Sequence, residues 1–154
     1  MNVMGASKRL APPADARTRA RYDHWCFFAM MELDANTLYV IRKHEDLHAL
    51  YGEAPAALDE ARKGFARQAQ AAATRLGDSG PYLLGDTFSG ADILFTTCLN
   101  GANRRKVDLP ARLLDYLESG LGTMHTFCGK ECEQGPAPRL KYLIMLVIFS
   151  PPDF

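Results

Sequence analysis

The chain has 154 residues, which is enough for one domain or slightly more. Hydrophobic residues make up 47% and charged residues 23% of the sequence, a composition that excludes a wholly disordered chain, collagen and a disulfide-bonded miniprotein. The 18 basic and 18 acidic side chains give a formal net charge of zero, and this balance argues against binding to nucleic acid or to an anionic membrane, because both require a basic surface.

The beginning of the sequence does not have the pattern of a targeting segment. Residues 1–14 are basic and Pro-rich, and we interpret them as a linker-like lead, since no apolar core follows the basic start. No segment approaches the roughly 18 apolar residues of a membrane helix. The four cysteines are few and irregularly spaced, so we expect reduced thiols and a cytoplasmic location.

A long first helix is predicted from Ala16 to about His44, because this span contains neither Gly nor Pro and Asp15 can cap it. Residues at steps of three and four form one largely apolar face: Tyr22, Trp25, Cys26, Ala29, Met30, Leu33, Thr37, Val40 and Ile41. A second apolar set lies off that face: Phe27, Phe28, Met31 and Leu38. The helix is therefore predicted either to be central in the fold or to contact a partner.

A second helix is predicted over residues 54–76, with Pro55 in its first turn, where a missing backbone N–H costs nothing. Its apolar stripe consists of Leu58, Ala61, Phe65, Ala69, Ala72 and Leu76. The other faces are charged, which is typical of a surface helix. We expect this helix to run antiparallel to the first.

A third helix is predicted to begin after Ser89 and to continue towards Asn103. Ser89 and Asp92 have the spacing of a capping box, in which each side chain bonds the backbone N–H of the other residue. Phe88 and Ile93 flank this pair at the positions of a hydrophobic staple. The spacing favours a structural role for Asp92 over a role as a catalytic acid, and its loss is expected to lower stability.

A fourth, shorter helix is predicted over residues 110–118, with Leu113, Leu114 and Leu117 facing inward. From Ser119 onward, glycines at 120, 122, 129 and 135 are expected to break any helix, and the apolar run 140–149 closes the sequence. We therefore divide the chain into a helical domain over residues 15–118 and an atypical tail over residues 119–154. No alternating strand pattern occurs before the tail, so the predicted fold class is all-α, a bundle of four or five helices.

The stretch Tyr82-Leu83-Leu84-Gly85-Asp86 followed by Phe88-Ser89-Gly90-Ala91-Asp92-Ile93 resembles the C-terminal domain of glutathione S-transferases. That family places a buried capping box and staple after a loop of this form. The two long helices before the loop and the Pro-led helix after it also follow the family's order. The resemblance covers roughly residues 10–118 and implies a glutathione S-transferase C-terminal-like bundle of four to five helices.

The resemblance implies glutathione as the cosubstrate of the family. In the family, a thioredoxin-like N-terminal domain binds glutathione and supplies the Tyr, Ser or Cys that stabilises its thiolate. The lead of this sequence is too short to hold such a domain, and the tail does not resemble the family's usual ending. We therefore expect a truncated or fragmentary member that binds no glutathione and is inactive alone.

The resemblance also implies that the first part of the first helix forms a wall against which the electrophile lies. The candidates for substrate binding are Arg21, Tyr22, Trp25 and Cys26, with Asp23 and Ala29 beside them. The alternative is that Trp25, Cys26 and Ala29 are core residues, because aromatic residues at helical spacing usually serve packing. No residue of this chain is assigned a catalytic role.

Two further interpretations stay open on the sequence. His125, Cys128 and Cys132 offer three metal donors, but their spacing is poor for a closed tetrahedral site, and we expect no metal. The second apolar set on the first helix supports an alternative function as a non-catalytic interaction module. Its partner would be a second copy of the chain or a thioredoxin-like domain. A truncated gene product without a function is the remaining alternative.

Overall fold

A computed structural model describes Leu10, residues 13–76 and residues 80–134; of residues 127–134 only the helical backbone is described. Helix α1 spans Ala16–Phe27 and continues directly into the π-helical segment π1, Phe28–Leu38. The turn α2 (Tyr39–Ile41) and the second π-helical segment π2 (Arg42–Asp46) follow, and then the short helix α3 (His48–Tyr51). The remaining helices are α4 (Pro55–Arg75), α5 (Gly90–Arg104) and α6 (Ala111–Gln134). No β-strand occurs in these ranges, and the predicted all-α bundle is confirmed.

The long first helix is confirmed, with Asp15 accepting the backbone N–H groups of Arg17 and Thr18 at its start, but half of it has π-helical geometry. In π1 the backbone bonds run from i to i+5, so residues four and five apart share a face. The buried residues of π1 follow that wider spacing: Phe28, Ala29, Leu33, Thr37 and Leu38. The prediction that Met30 belongs to the buried stripe is wrong, because the stripe was drawn with an α-helical period; its side chain is 41% exposed.

Polar contacts at three levels show that α4 runs antiparallel to the helix formed by α1 and π1. Arg75 near the end of α4 contacts His24 in α1, and Gln68 contacts Glu32 in π1. Arg62 near the start of α4 forms an ion pair with Glu45 in π2. Residues later in α4 contact residues earlier in the first long helix, so the two helices run antiparallel, as predicted. The stripe of α4 is buried from Ala61 to Ala73 and meets π1.

The core lies where α5 is covered by α1 and π1 on one side and by α6 on the other. Phe95 of α5 is fully buried, and its ring lies 5.4 Å from the ring of Trp25 and 5.3 Å from that of Tyr116. Both pairs have edge-to-face geometry, which aromatic rings favour over direct stacking. Three helices that are distant in sequence therefore share one aromatic cluster.

Helix α6 is longer than predicted. The sequence predicted an end at Glu118 and a break at the glycines that follow, but α6 continues through Gly120 and Gly122 to Gln134. Gly120 is buried against α5, where an added Cβ would lie 2.5 Å from the Thr96 hydroxyl oxygen. Gly120 is therefore tolerated in the helix because it permits close approach between α6 and α5. The domain boundary that we placed at residue 119 thus falls inside a helix, and it stays a prediction as a domain limit.

The inward face of α6 was assigned correctly at Leu113 and Leu117, which are buried, but not at Leu114, which is 43% exposed. The buried stripe runs through Leu113, Leu117, Gly120 and Met124 at steps of three and four, and Leu114 lies about 100° away from it. The apolar run 140–149 lies outside the described residues. None of the helices described here combines the length and the apolar character needed to cross a membrane.

Candidate functional site

Asp92, in the first turn of α5, is the centre of a buried hydrogen-bond network. Its side chain is completely buried and forms the predicted capping box with Ser89. One carboxylate oxygen accepts the Ser89 backbone N–H at 2.8 Å and the Ser89 hydroxyl at 2.6 Å. The other accepts the Leu83 backbone N–H at 2.8 Å and the Tyr116 hydroxyl at 2.6 Å. Four donors thus surround a carboxylate at a helix N-terminus, where negative charge is favoured. This saturated arrangement supports the structural role that the sequence predicted.

The hydrophobic staple forms beside the capping box. Ile93 is buried in a small cluster with Leu10 and Met124, and Phe88 packs against this cluster. The ring of Phe88 also lies 5.3 Å from that of Tyr82. The staple therefore connects helix α6 with the loop that precedes α5.

The loop itself is closed by two backbone hydrogen bonds between Tyr82 and Gly85. Gly80 has a φ of 148°, and an added Cβ there would lie 2.5 Å from the carbonyl carbon of Gly85. Only glycine fits this approach of two backbones. The loop holds Leu83 in the position from which its N–H reaches Asp92.

Tyr22 and Cys26, two of the four candidates for substrate binding, lie on the side of α1 that faces α5. The Tyr22 hydroxyl lies against Gly90, the first residue of α5, where an added Cβ would be 2.7 Å from the oxygen. Partial burial, with Cys26 close by, raises the pKa of Tyr22 to about 12. Burial also raises the pKa of the half-buried Cys26 thiol. Both groups are therefore neutral near pH 7, and the raised pKa of Cys26 is unfavourable for a nucleophile.

Trp25 is 6% exposed and forms the border between the core and the surface. Its ring packs edge-to-face on Phe28 at 5.7 Å and on Phe95 at 5.4 Å. Ala29, one turn further on, is completely buried. These contacts favour the core interpretation for both residues, although Trp25 also reaches an open cleft on its outer side.

That cleft has a volume of about 440 Å³ and lies between α1 and the end of α4. Arg21 and Trp25, the other two candidates, line it together with Arg17, Ala20, His24 and Arg75. The α1 members recur at three- and four-residue steps and therefore share one side of the helix. The candidates are thus divided: Arg21 and Trp25 contact the cleft, whereas Tyr22 and Cys26 do not line it.

The lining of the cleft is rich in basic side chains. Three of its six lining residues are arginines, and none is an acid. Arg21 donates to the backbone carbonyl of Leu83 at 3.3 Å. Arg75 donates to Nε2 of His24 at 3.5 Å, and its guanidinium carbon lies 6.0 Å from the centre of the Phe28 ring. Asp23, which we placed beside the candidates, forms an ion pair with Arg19 instead.

Sequence reasoning missed four of the six residues that line the cleft: Arg17, Ala20, His24 and Arg75. The periodicity 17, 21, 24 along α1 was available as a signal, because it repeats at steps of four and three. Arg75 carried no such signal, since its place in the cleft depends on the register between α1 and α4. The metal donors that we considered cannot be placed, because the Cys128 and Cys132 side chains lie outside the described residues.

An all-helical bundle with two antiparallel long helices, followed by a loop, a buried capping box and a central helix, is the arrangement that the resemblance implied. Comparison with family models supports this class directly: residues 55–124 match the model described as "Glutathione S-transferase, C-terminal domain". The chain therefore contains a glutathione S-transferase C-terminal-like domain. The match spans α4, the loop, α5 and the first half of α6, and it begins after the candidate residues of α1. No curated protein and no solved structure matched the chain.

Proposed function

We propose that this domain supplies the electrophile-binding wall of a glutathione transferase, with glutathione bound by a separate thioredoxin-like domain. The observation that carries the proposal is the cleft beside Trp25, because it is the place where the candidate residues of α1 meet open volume. In such a substitution the thiolate sulfur of glutathione forms a bond to the electrophilic carbon, while the bond from that carbon to its leaving group breaks and the leaving group departs with the electron pair. The wall contributes by holding that carbon in a suitable orientation.

The lining of the cleft suits a small aromatic molecule. Trp25 and Ala20 provide apolar surface, and the aliphatic stems of the arginines extend it. The cleft has a volume of about 440 Å³ and is open to solvent, since five of its six lining residues are exposed, so it can hold one face of a small ring. Polar groups at the rim would fix the orientation of the bound molecule. In this proposal Tyr22 and Cys26 support the helix from behind the wall and do not contact the substrate.

Trp25 makes the proposal testable, because it is the only tryptophan in the chain and gives a single indole N–H resonance. We expect the neutral, unreactive probe 1,3-dinitrobenzene to shift this resonance saturably in the full chain. Ala20→Leu, which fills the cleft, should weaken binding several-fold. Ala57→Leu is the matched control, since Ala57 is exposed and lines a different depression between α4 and π1. The absence of saturable binding, or equal binding by the Ala20 variant, would overturn the proposal.

A second candidate function is an interaction module, and one observation favours it. Phe27, Met30 and Met31 are 69%, 41% and 52% exposed, respectively, and form an apolar patch at the junction of α1 and π1. A patch of this kind commonly marks a protein contact. The partner in this proposal is a second copy of the chain or a thioredoxin-like domain in a cytoplasmic protein.

The self-association form of this candidate is tested by light scattering coupled to size exclusion. The full chain should elute as a dimer, and the double variant Phe27→Lys, Met31→Lys should elute as a monomer. Leu50→Lys is the control, because Leu50 is 74% exposed and lies outside the patch. A parent chain that remains monomeric at about 100 µM contradicts self-association.

A further inference from the structure

We propose that the cleft beside Trp25 selects electrophiles that carry an anionic substituent, such as a carboxylate, on an aromatic body. This inference rests on the proposed function, since it names the substrate class of the same cleft. It depends on the arginines of the cleft: in the part of the chain that the structure describes, none of them forms an ion pair, and only Arg17 lies close enough to a carboxylate, that of Asp15, to lower its pKa.

The arginines of the cleft differ from several other arginines of the bundle in whether they form ion pairs. Elsewhere, Arg19 is paired with Asp23, Arg62 with Glu45 and Arg105 with Asp46. Within the described ranges, no salt bridge joins a carboxylate to the cleft's three guanidinium groups, those of Arg17, Arg21 and Arg75. The cleft therefore concentrates positive charge in a chain whose formal net charge is zero.

Two of these guanidinium groups, on exposed side chains, contact partners that carry no negative charge. Arg21 bonds the carbonyl of Leu83, a residue fixed in turn by Asp92. Arg75 bonds His24 and lies over the Phe28 ring. Each of these contacts uses one of the five N–H donors of a guanidinium group, so further donors remain for a ligand. Each contact restricts its side chain in part, and such a restriction lowers the entropy that is lost when an anion binds.

Electrostatics then favours an anion over a neutral molecule of the same shape. Like charges that surround one cleft repel each other, and a bound carboxylate relieves that repulsion. Arginine is also suited to carboxylates geometrically, because its two parallel N–H groups match the two oxygens. The aromatic body of the ligand would lie against Trp25 while its anionic group meets the arginines.

The test compares two probes of nearly equal size, 4-nitrobenzoate and 4-nitrobenzamide, by titration of the Trp25 indole resonance in the full chain. At low ionic strength we expect 4-nitrobenzoate to bind at least about ten-fold more tightly. That advantage should shrink as salt is added, because salt screens charge interactions at the surface. Equal affinity for the two probes would overturn the inference.

Arg21→Gln and Arg75→Gln should each weaken binding of 4-nitrobenzoate several-fold and leave binding of 4-nitrobenzamide nearly unchanged. Arg67→Gln is the matched control, because Arg67 is exposed on the same helix as Arg75 but lines the other depression. An equal loss in the Arg67 variant would show a general charge effect and would also overturn the inference.

The outcomes separate this inference from the function on which it rests. If both probes bind with the same affinity, the proposed electrophile-binding wall is supported, but the proposed preference for anions is wrong. If neither probe binds, the wall itself fails.

Discussion

The hydroxyl of Tyr116 donates a 2.6 Å hydrogen bond to the Asp92 carboxylate and thereby joins α6 to the first turn of α5. Tyr116 is 6% exposed, and its pKa is raised by burial and by the charge of Asp92. The contact adds a tertiary link to a capping box that is otherwise local. The packing of α6 on α5 and the N-terminus of α5 are therefore expected to lose stability together.

Removal of the Asp92 carboxylate should be among the most damaging single changes in the domain. Asp92→Ala leaves buried donors of Leu83, Ser89 and Tyr116 without their acceptor, at a cost of about 1–3 kcal/mol for each unsatisfied group. We expect a loss of at least about 3 kcal/mol in the free energy of unfolding, measured by urea denaturation. Asp86→Ala, in the exposed part of the same loop, is the control and should change stability by less than about 0.5 kcal/mol. A similar stability for the two variants would contradict the central role of Asp92.

Two glycines of α6 are predicted to respond in opposite directions to substitution by alanine. Gly120→Ala places a Cβ 2.5 Å from the Thr96 hydroxyl oxygen, and we expect a loss of about 1–3 kcal/mol. At Gly122 an added Cβ meets nothing within 4 Å, so Gly122→Ala should gain about 0.5–1 kcal/mol through helix propensity. Thermal unfolding of both variants provides the measurement. Thr96→Ala should restore part of the loss in the Gly120 variant, and an absence of this rescue would exclude the contact as its cause.

Gly90→Ala should destabilise the domain through Tyr22. The new Cβ would lie 2.7 Å from the Tyr22 hydroxyl, so the ring must move, at an expected cost of about 1 kcal/mol. Combining it with Tyr22→Phe, which removes that oxygen, should recover most of the loss in a double-mutant cycle. Gly101→Ala is the control in the same helix, since its added Cβ makes only contacts of 3.7 Å or more. Additive effects of the Gly90 and Tyr22 changes would show that the two sites are independent.

Alkaline pH is predicted to unfold the domain through buried groups that must remain neutral. Burial raises the pKa of Cys98 from 9.0 to about 12 and that of Tyr22 from 10.0 to about 12. As the pH rises, the unfolded chain therefore loses these protons at a lower pH than the folded chain does. The free energy of unfolding keeps its full value below about pH 9 and falls as the pH rises towards 12. For Cys98, the free energy of unfolding should fall by about 1.4 kcal/mol for each pH unit in this range. The fall should be smaller for Tyr22, because this side chain is half exposed and solvent screens its charge.

The variant Cys98→Ala should flatten this alkaline fall, as followed by urea denaturation between pH 8 and 11. Tyr22→Phe should flatten it to a smaller extent. Tyr51→Phe removes an exposed phenol and serves as the control. An unchanged slope in the Cys98 variant would show that this thiol does not couple to alkaline unfolding.

The sequence was most informative where the interactions are local. Ser89 and Asp92 are three residues apart, so their spacing alone predicted the capping box, and Phe88 and Ile93 predicted the staple. The sequence did not predict that Leu83 and Tyr116 also bond Asp92, because these contacts require the positions of a loop and of another helix. Residues 9 and 24 positions from Asp92 in sequence have no local pattern that points to it.

The remaining errors have physical causes at particular residues. Met30 was assigned to the buried face because an α-helical period was applied to a segment that has π-helical geometry. Gly120 was taken as a helix break because helix propensity was weighed without the close approach of Thr96. The cleft was half predicted: Arg21 and Trp25 lie in α1, where the family resemblance placed the wall, whereas Arg75 enters through tertiary register alone.

The antiparallel contacts between α4 and the first long helix also imply an order of assembly. Arg62 and Glu45 are 17 positions apart, Gln68 and Glu32 are 36 apart, and Arg75 and His24 are 51 apart. Closing the longest of these loops first costs about 1 kcal/mol more in chain entropy than closing the shortest. Once the Arg62–Glu45 end is closed, each later contact joins segments that are already near each other. Contacts between the first long helix and α4 can therefore form one after another, starting beside the segment that connects the two helices. The cleft lies at the opposite end of this helix pair and is therefore the last part of it to form.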